Sequence, residues 1–310
     1  MPENLEAGES RAHSPLADQL ERNYADLQAL RDVVLPALSG MPVLAVANQK
    51  GGVGKTTSAV NLAAALALAG LKVVVIDADP QGNASTALGV PHGPGTTSTY
   101  EVLLADADLQ DALQECPQIP GLYVCPATID LAGAEVELVA EPDRARLLKN
   151  ALEDYRHSLG SNDVAPDIVL IDCPPSLGLL TLNAFVAADR LLIPVQAEYY
   201  ALEGLSLLLN TITRVQADLN PELQDPLILM TMVDGRTNLS SQVVGEVREH
   251  FGEAVLENEI PRSVRISEAP SYGETVLTYD ARGTGAIAYR KAGAELVAAL
   301  SGDTPGATLG

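Results

Sequence analysis

Apolar residues fall into short, nearly continuous runs, separated by longer stretches in which they recur every three or four positions. Val43–Ala47, Lys72–Ile76, Leu122–Cys125, Ile168–Ile171, Leu191–Val195 and Leu227–Val233 read as strands. Runs apolar on both faces leave no side for water, which points to a parallel sheet covered by helices on each side. Thr56–Ala69 reads as a long helix stopped by Gly70, and right-handed crossovers follow for the strand–helix alternation. The expectation is an α/β fold with a mostly parallel sheet and helices on both faces.

Ahead of this alternation, Leu16, Leu20, Tyr24, Leu27, Leu30 and Val34 recur at the spacing of one helix face. Ser39-Gly40, with Pro42 beyond, is expected to close that helix. Residues 1–40 are therefore read as a helical extension, 41–300 as one large domain and 301–310 as a flexible tail. The extension's apolar stripe needs a surface, on its own domain or on a partner.

Composition narrows the classes. The chain has 310 residues, 47% of them apolar, enough to bury a large core. No apolar run reaches the roughly 18 residues of a membrane span, and the polar, acidic start, "MPENLEAGES", is not a secretory signal. Cys116, Cys125 and Cys173 are too sparse for a disulfide framework or a thiolate metal site, so a cytoplasmic protein is expected. The net charge of −22 argues against binding polyanions through the mean field. The distribution is uneven: Lys72 is the only cation between Thr57 and Asp143, whereas seven lie between Arg236 and Lys291.

The chemistry begins at Gln49-Lys50-Gly51-Gly52-Val53-Gly54-Lys55-Thr56-Thr57. This is a phosphate loop whose first glycine is replaced by Gln49 and which carries an additional lysine, Lys50. It follows a strand and opens a helix, where glycines let backbone N–H groups turn toward phosphate and the helix N-terminus adds partial positive charge. Lys55 suits the β- and γ-phosphates, and the Thr56 hydroxyl suits Mg²⁺. "IVLIDCPP" ends an apolar strand in Asp172, the place of a Walker B carboxylate beside the metal. Asp79 ends another strand at the same edge, where it could orient or deprotonate a water attacking the γ-phosphate, or simply cap a turn. The fold expected is thus that of a P-loop NTPase. Since Lys55 already serves its own loop, Lys50 could act across a two-fold interface on a neighbour's nucleotide, as a finger does.

The stretch from Lys50 to Thr57 resembles the deviant Walker A motif. Together with "DADPQGN" at 77–83, "ATIDLAGAEVELV" at 127–139, "IDCPPSLGLLTLNA" at 171–184, "PVQAEYYALEGL" at 194–205, "DGRTNLS" at 234–240 and "IPRSVRISEAPSYGETV" at 260–276, it makes the chain closely resemble the ParA/Soj chromosome-partitioning ATPases. The likeness runs over roughly residues 42–298. It implies an ATP- and Mg²⁺-dependent sandwich dimer that binds double-stranded DNA without sequence preference and is released when a ParB-like partner stimulates hydrolysis. A cytoplasmic, nucleoid-associated protein follows from it. By motif, Lys50 reaches across the dimer, and Gly51, Gly52, Gly54, Lys55, Thr56 and Thr57 hold phosphate. Thr56 ligates Mg²⁺ with Asp79 and Asp172 nearby, and Asp79 is required for hydrolysis. Pro261 and Ser263 lie in the adenine segment, although the family commonly has Asn where this chain has Ser263. Arg236 matches a DNA-binding arginine, with Arg262 and Arg265 as companions.

Three alternatives share the motif. A MinD-like membrane ATPase would use a basic amphipathic C-terminal helix, yet "LVAALSGDTPGATLG" contains no Lys or Arg. A nitrogenase-reductase-like carrier would need cysteines placed to hold a cluster between subunits. A related ATPase positioning another cargo differs only in its adaptor.

Overall fold

The computed structural model describes residues 15–302, apart from 32, 161, 162 and 200. The expected loose tail from 303 on and the first 14 residues of the extension lie outside the described residues.

Seven strands form one sheet: β1 (Val43–Val46), β2 (Val73–Asp77), β3 (Gln114–Glu115), β4 (Leu122–Cys125), β5 (Ile168–Asp172), β6 (Arg190–Gln196) and β7 (Leu227–Thr231). Their order is β3-β4-β2-β5-β1-β6-β7. All pairings are parallel except that of the short edge strand β3 with β4, so the expected mostly parallel sheet is present.

The continuous apolar runs are explained by two cores, one on each face. Alternate strand residues Ala45, Ile76, Ile171, Ile193 and Met230 pack with the helices Leu147–Ser158, Leu179–Ala187, Ala201–Asp218 and Asn238–Phe251. The intervening Leu44, Val46, Val75, Leu170, Leu192 and Leu229 pack with α2 (Lys55–Leu68) and the C-terminal helix Thr284–Ser301. Period-two alternation thus operates in the six longer strands, hidden in the sequence because both sides are dry. Asn61 is the polar exception inside the α2 core. Its amide donates to Thr57 O at 2.7 Å and its oxygen accepts the Val276 N–H at 2.8 Å, so the burial leaves no unpaired group.

The N-terminal helix differs from expectation in extent. This helix, α1, spans Pro15–Arg31, and 33–38 have no regular structure, so Ser39-Gly40 does not close it. Its apolar stripe is also largely open: Leu20 is 60% and Tyr24 66% exposed. The helix lies against the C-terminal helix through an Asp26–Lys291 ion pair at 2.8 Å, and Asn23 donates its amide to Arg282 O in the turn before that helix at 3.1 Å. Leu27 and Leu30 face Leu66 and Ala294 across a cavity.

Candidate active site

The parallel register brings the functional strand ends into line. Val46 stands opposite Asp172 and Asp172 opposite Asp77, so β1, β5 and β2 deliver their next residues to one edge. Ligands of open parallel sheets bind at this carboxyl edge.

From Val46 the chain turns into the phosphate loop. Asn48 fastens its start, donating to Pro194 O at 2.8 Å and accepting the Lys50 N–H at 3.0 Å. Gly52 and Gly54 have φ of 74° and 89°, a left-handed backbone that a side chain would strain. A Cβ at Gly52 would meet nothing within 4 Å, so backbone conformation rather than crowding demands glycine there. The loop ends at α2, whose first N–H groups lack intrahelical partners and are available to an anion.

Lys55 is 8% exposed and its ammonium donates to Lys50 O at 3.1 Å. Burial lowers its pKa, while Asp172 and Asp79 pull it back up. Asp172 is fully buried, and among the described residues neither of its oxygens has a hydrogen-bond partner. Burial, then the adjacent Asp77, push its pKa well above the ordinary carboxylate range; the Thr56 hydroxyl and, more weakly, Lys55 oppose this. A buried carboxylate with both oxygens unpartnered, facing a threonine hydroxyl, is a donor set short of a hard cation, which suits Mg²⁺ or its coordinated water. Asp79 is 7% exposed and accepts the Gln81 N–H at 3.0 Å, fixing the carboxylate beside the same group.

Lys50 is arranged differently. Its side chain is 45% exposed and its ammonium contacts Glu198 Oε2, beyond the end of β6, at 2.7 Å. The two lysines of the loop therefore have separate partners.

Three further contributors are given no role by the motif reading, although Asp77 and Glu198 lie inside its quoted blocks. Asp77 is fully buried on β2 and receives the Ser85 N–H and hydroxyl at 2.9 and 2.7 Å, and the Asp79 N–H at 3.2 Å. Burial raises its pKa and the Ser85 bonds oppose that; it builds the turn that aims Asp79. Thr231, at the end of β7, donates its hydroxyl to Val53 O at 2.8 Å and so pins the loop from the far side of the sheet. Glu198 receives Lys50. β2 ends at Asp77, so Asp79 lies in the turn two residues beyond the strand that it is expected to end.

Beyond Thr231 the chain passes through Met232, which adopts a left-handed φ of 52°. It then pairs Val233 with Pro261. Ser263 follows at the start of the short helix Val264–Glu268, its side chain making no capping bond. Pro261 and Ser263 thus stand past the strand end that touches Val53 and Gly54. The same bridge brings Arg236 and Arg262 to one surface. Arg236 is 87% exposed and bound two-pronged by Asp234. Arg262 is exposed. Arg265 leans over the Tyr279 ring at 5.8 Å and contacts Glu268 at 3.4 Å.

A family profile described as an AAA domain matches residues 41–225. The sporulation initiation inhibitor protein Soj of Bacillus subtilis is 49% identical over 83% of this chain and 98% of its own length. The chromosome partitioning protein ParA of Caulobacter vibrioides is 50% identical over 82% and 93%. Among solved structures, cobyrinic acid a,c-diamide synthase from Mycobacterium smegmatis, with bound ADP and magnesium, has a TM-score of 0.70 at 38% identity, covering 85% of this chain and 97% of that one. The cell division ATPase MinD of Pyrococcus furiosus has a TM-score of 0.66 at 25% identity, covering 83% and 98%. With its loop, its buried carboxylate and these relatives taken together, the chain belongs to the Soj/ParA family of chromosome-partitioning ATPases.

Proposed function

We propose that this chain is a DNA-segregation ATPase whose ATP-bound dimer holds double-stranded DNA without sequence preference and lets go on hydrolysis stimulated by a ParB-like partner. The observation that carries the reading is Lys50. It is exposed and paired outside its own phosphate cradle, while Lys55 is buried inside it. A lysine so placed suits the phosphates of a second subunit stacked on the carboxyl edge.

The buried Lys55 and Asp172 and the open Lys50 support a division of labour within one subunit. The backbone N–H groups of the loop and Lys55 bind the phosphates of ATP. Thr56 and Asp172 would hold Mg²⁺, which supplies charge neutralisation at the phosphates when bound. Asp79 orients the attacking water and accepts its proton. Lys50 of the neighbour meets charge developing at the γ-phosphate, so hydrolysis and pairing are linked. Pro261 and Ser263 would flank the adenine. Arg236 and Arg262, with Arg265 beside them, would face DNA phosphates, and the protein would then sit on the nucleoid.

A few arginines on a chain of net charge −22 give weak binding alone. Pairing doubles the patch on one duplex and makes binding bivalent. The test is duplex affinity against salt in ATP and in ADP, for the wild type and Arg236→Glu. Tight, salt-steep binding in ATP only, lost in Arg236→Glu, supports the reading; equal binding in both nucleotides rejects it. Among the described residues no helix is long and apolar enough to cross a membrane.

A further inference from the structure

Arg236, the 87% exposed cation of the proposed DNA surface, is already occupied. Arg236 Nε and Nη2 donate to Asp234 Oδ1 and Oδ2, both at 2.9 Å, the parallel two-bond fork that guanidinium also makes with a phosphate. The carboxylate is the fixed partner: its side chain is 22% exposed against 87% for the arginine. Its backbone is held on both sides, with Asp234 N donating to the Ser240 hydroxyl at 3.1 Å and Asp234 O accepting the Thr237 N–H and hydroxyl, each at 3.0 Å. Asp234 Oδ1 also accepts the Arg236 N–H at 3.1 Å, closing an Asx turn. Just beyond begins the helix Asn238–Phe251, whose N-terminus adds partial positive charge to the same spot.

We infer that Asp234 is an internal competitor for the DNA phosphate at Arg236, a side chain that sets the affinity of the DNA surface by occupying its arginine in the phosphate's own geometry. This rests on the DNA-binding reading above. Contact with a phosphodiester requires Arg236 to exchange one anion for another, and it leaves the anchored carboxylate facing the DNA backbone with Arg262 as the nearby compensating charge. The hydrogen bonds from the Arg236 guanidinium and backbone N–H, with smaller help from the Arg236 and Arg262 charges, lower the Asp234 carboxyl to about 2, so at neutral pH it is an anion. The consequence is that one patch is kept too weak to hold DNA, and release after hydrolysis is complete. Removing the carboxylate's charge strengthens DNA binding, the opposite of what loss of a residue that merely positions Arg236 would do.

The test uses the full chain with a non-hydrolysable ATP analogue and Mg²⁺, and a random-sequence duplex titrated from about 50 to 200 mM salt. Dimer fraction is measured in parallel and affinities are compared at equal dimer. Asp234→Asn keeps an acceptor for the Arg236 N–H while removing the charge; Asp234→Ser, whose hydroxyl supports the same kind of turn, serves if the first variant does not fold. The expected result is about a threefold to tenfold gain in affinity, with a salt slope steeper by up to about one unit per patch. Unchanged or weaker binding overturns the inference. Arg236→Ala separates the two claims. If the wild type binds, Arg236→Ala loses binding and Asp234→Asn gains nothing, only the competitor role falls. If the wild type shows no salt-dependent binding in the ATP state, the DNA reading itself falls.

Discussion

The Lys50 ammonium lies 2.7 Å from Glu198 Oε2, and both side chains are nearly half exposed. An ion pair so open to water contributes at most about 1 kcal/mol, less than a charge-assisted contact to phosphate in a closed site. On the proposed reading, Glu198 is a resting position that a second subunit's nucleotide would displace. If Lys50 serves the neighbour and not its own cradle, Lys50→Ala is expected to bind a fluorescent ATP analogue within about threefold of the wild-type Kd, a difference of less than 1 kcal/mol. A loss of tenfold or more would place Lys50 in its own subunit's site.

Asp79 is buried beside the loop and fixed by the Gln81 N–H. Asp79→Ala is expected to retain ATP and Mg²⁺ and to lose about 10²-fold or more in turnover, the usual contribution of a positioned base. Single-turnover hydrolysis reads this directly, and a rate near wild type removes Asp79 from the chemistry.

Asp172 holds two unpartnered oxygens in the interior. Without a cation this costs stability, of order 1–3 kcal/mol for an unsatisfied buried group. Asp172→Asn is therefore expected to melt about 2–8 °C higher than wild type in the absence of nucleotide. The same variant should lose the extra stabilisation that Mg²⁺ gives in the presence of ATP. Thermal melts with and without the ion test both halves; a lower melting point for the free variant contradicts the orphan-carboxylate account.

Thr231 connects β7 to the loop through one hydroxyl bond to Val53 O. Thr231→Val keeps the shape and leaves that carbonyl unpaired, an expected loss of about 1–2 kcal/mol by urea unfolding. Nucleotide affinity should weaken with it, because the loop loses its clamp from β7. Unchanged ATP affinity would mean that the bond serves the fold alone.

The sheet and the loop were legible because their signals are local. Continuous apolar runs ending in Asp77 and Asp172 give both strand and edge, and Gly52, Gly54, Lys55 and Thr56 are spaced by the demands of one phosphate group. Thr231, Asn48 and Glu198 were not legible, because each acts on the loop across 145 residues or more of sequence or as a single polar residue at a strand end. The first helix was overextended for a related reason. Val34 continues the three-to-four spacing, but it is 90% exposed and follows the break after Arg31, so periodicity alone did not mark the end. Arg236 is singled out by its motif, while its engagement by Asp234 is visible only in the side-chain geometry.

The central claim is that ATP pairs two copies of this chain through Lys50. The most direct measurement is mass by light scattering, with a non-hydrolysable ATP analogue and Mg²⁺ against ADP, for wild type and Lys50→Ala. The account predicts twice the chain mass of 32.4 kDa for the wild type with the ATP analogue, and a single chain in ADP. Lys50→Ala should remain a single chain in both nucleotides. A Lys50→Ala protein that doubles its mass with the ATP analogue, or a wild type of one mass in both nucleotides, would contradict it.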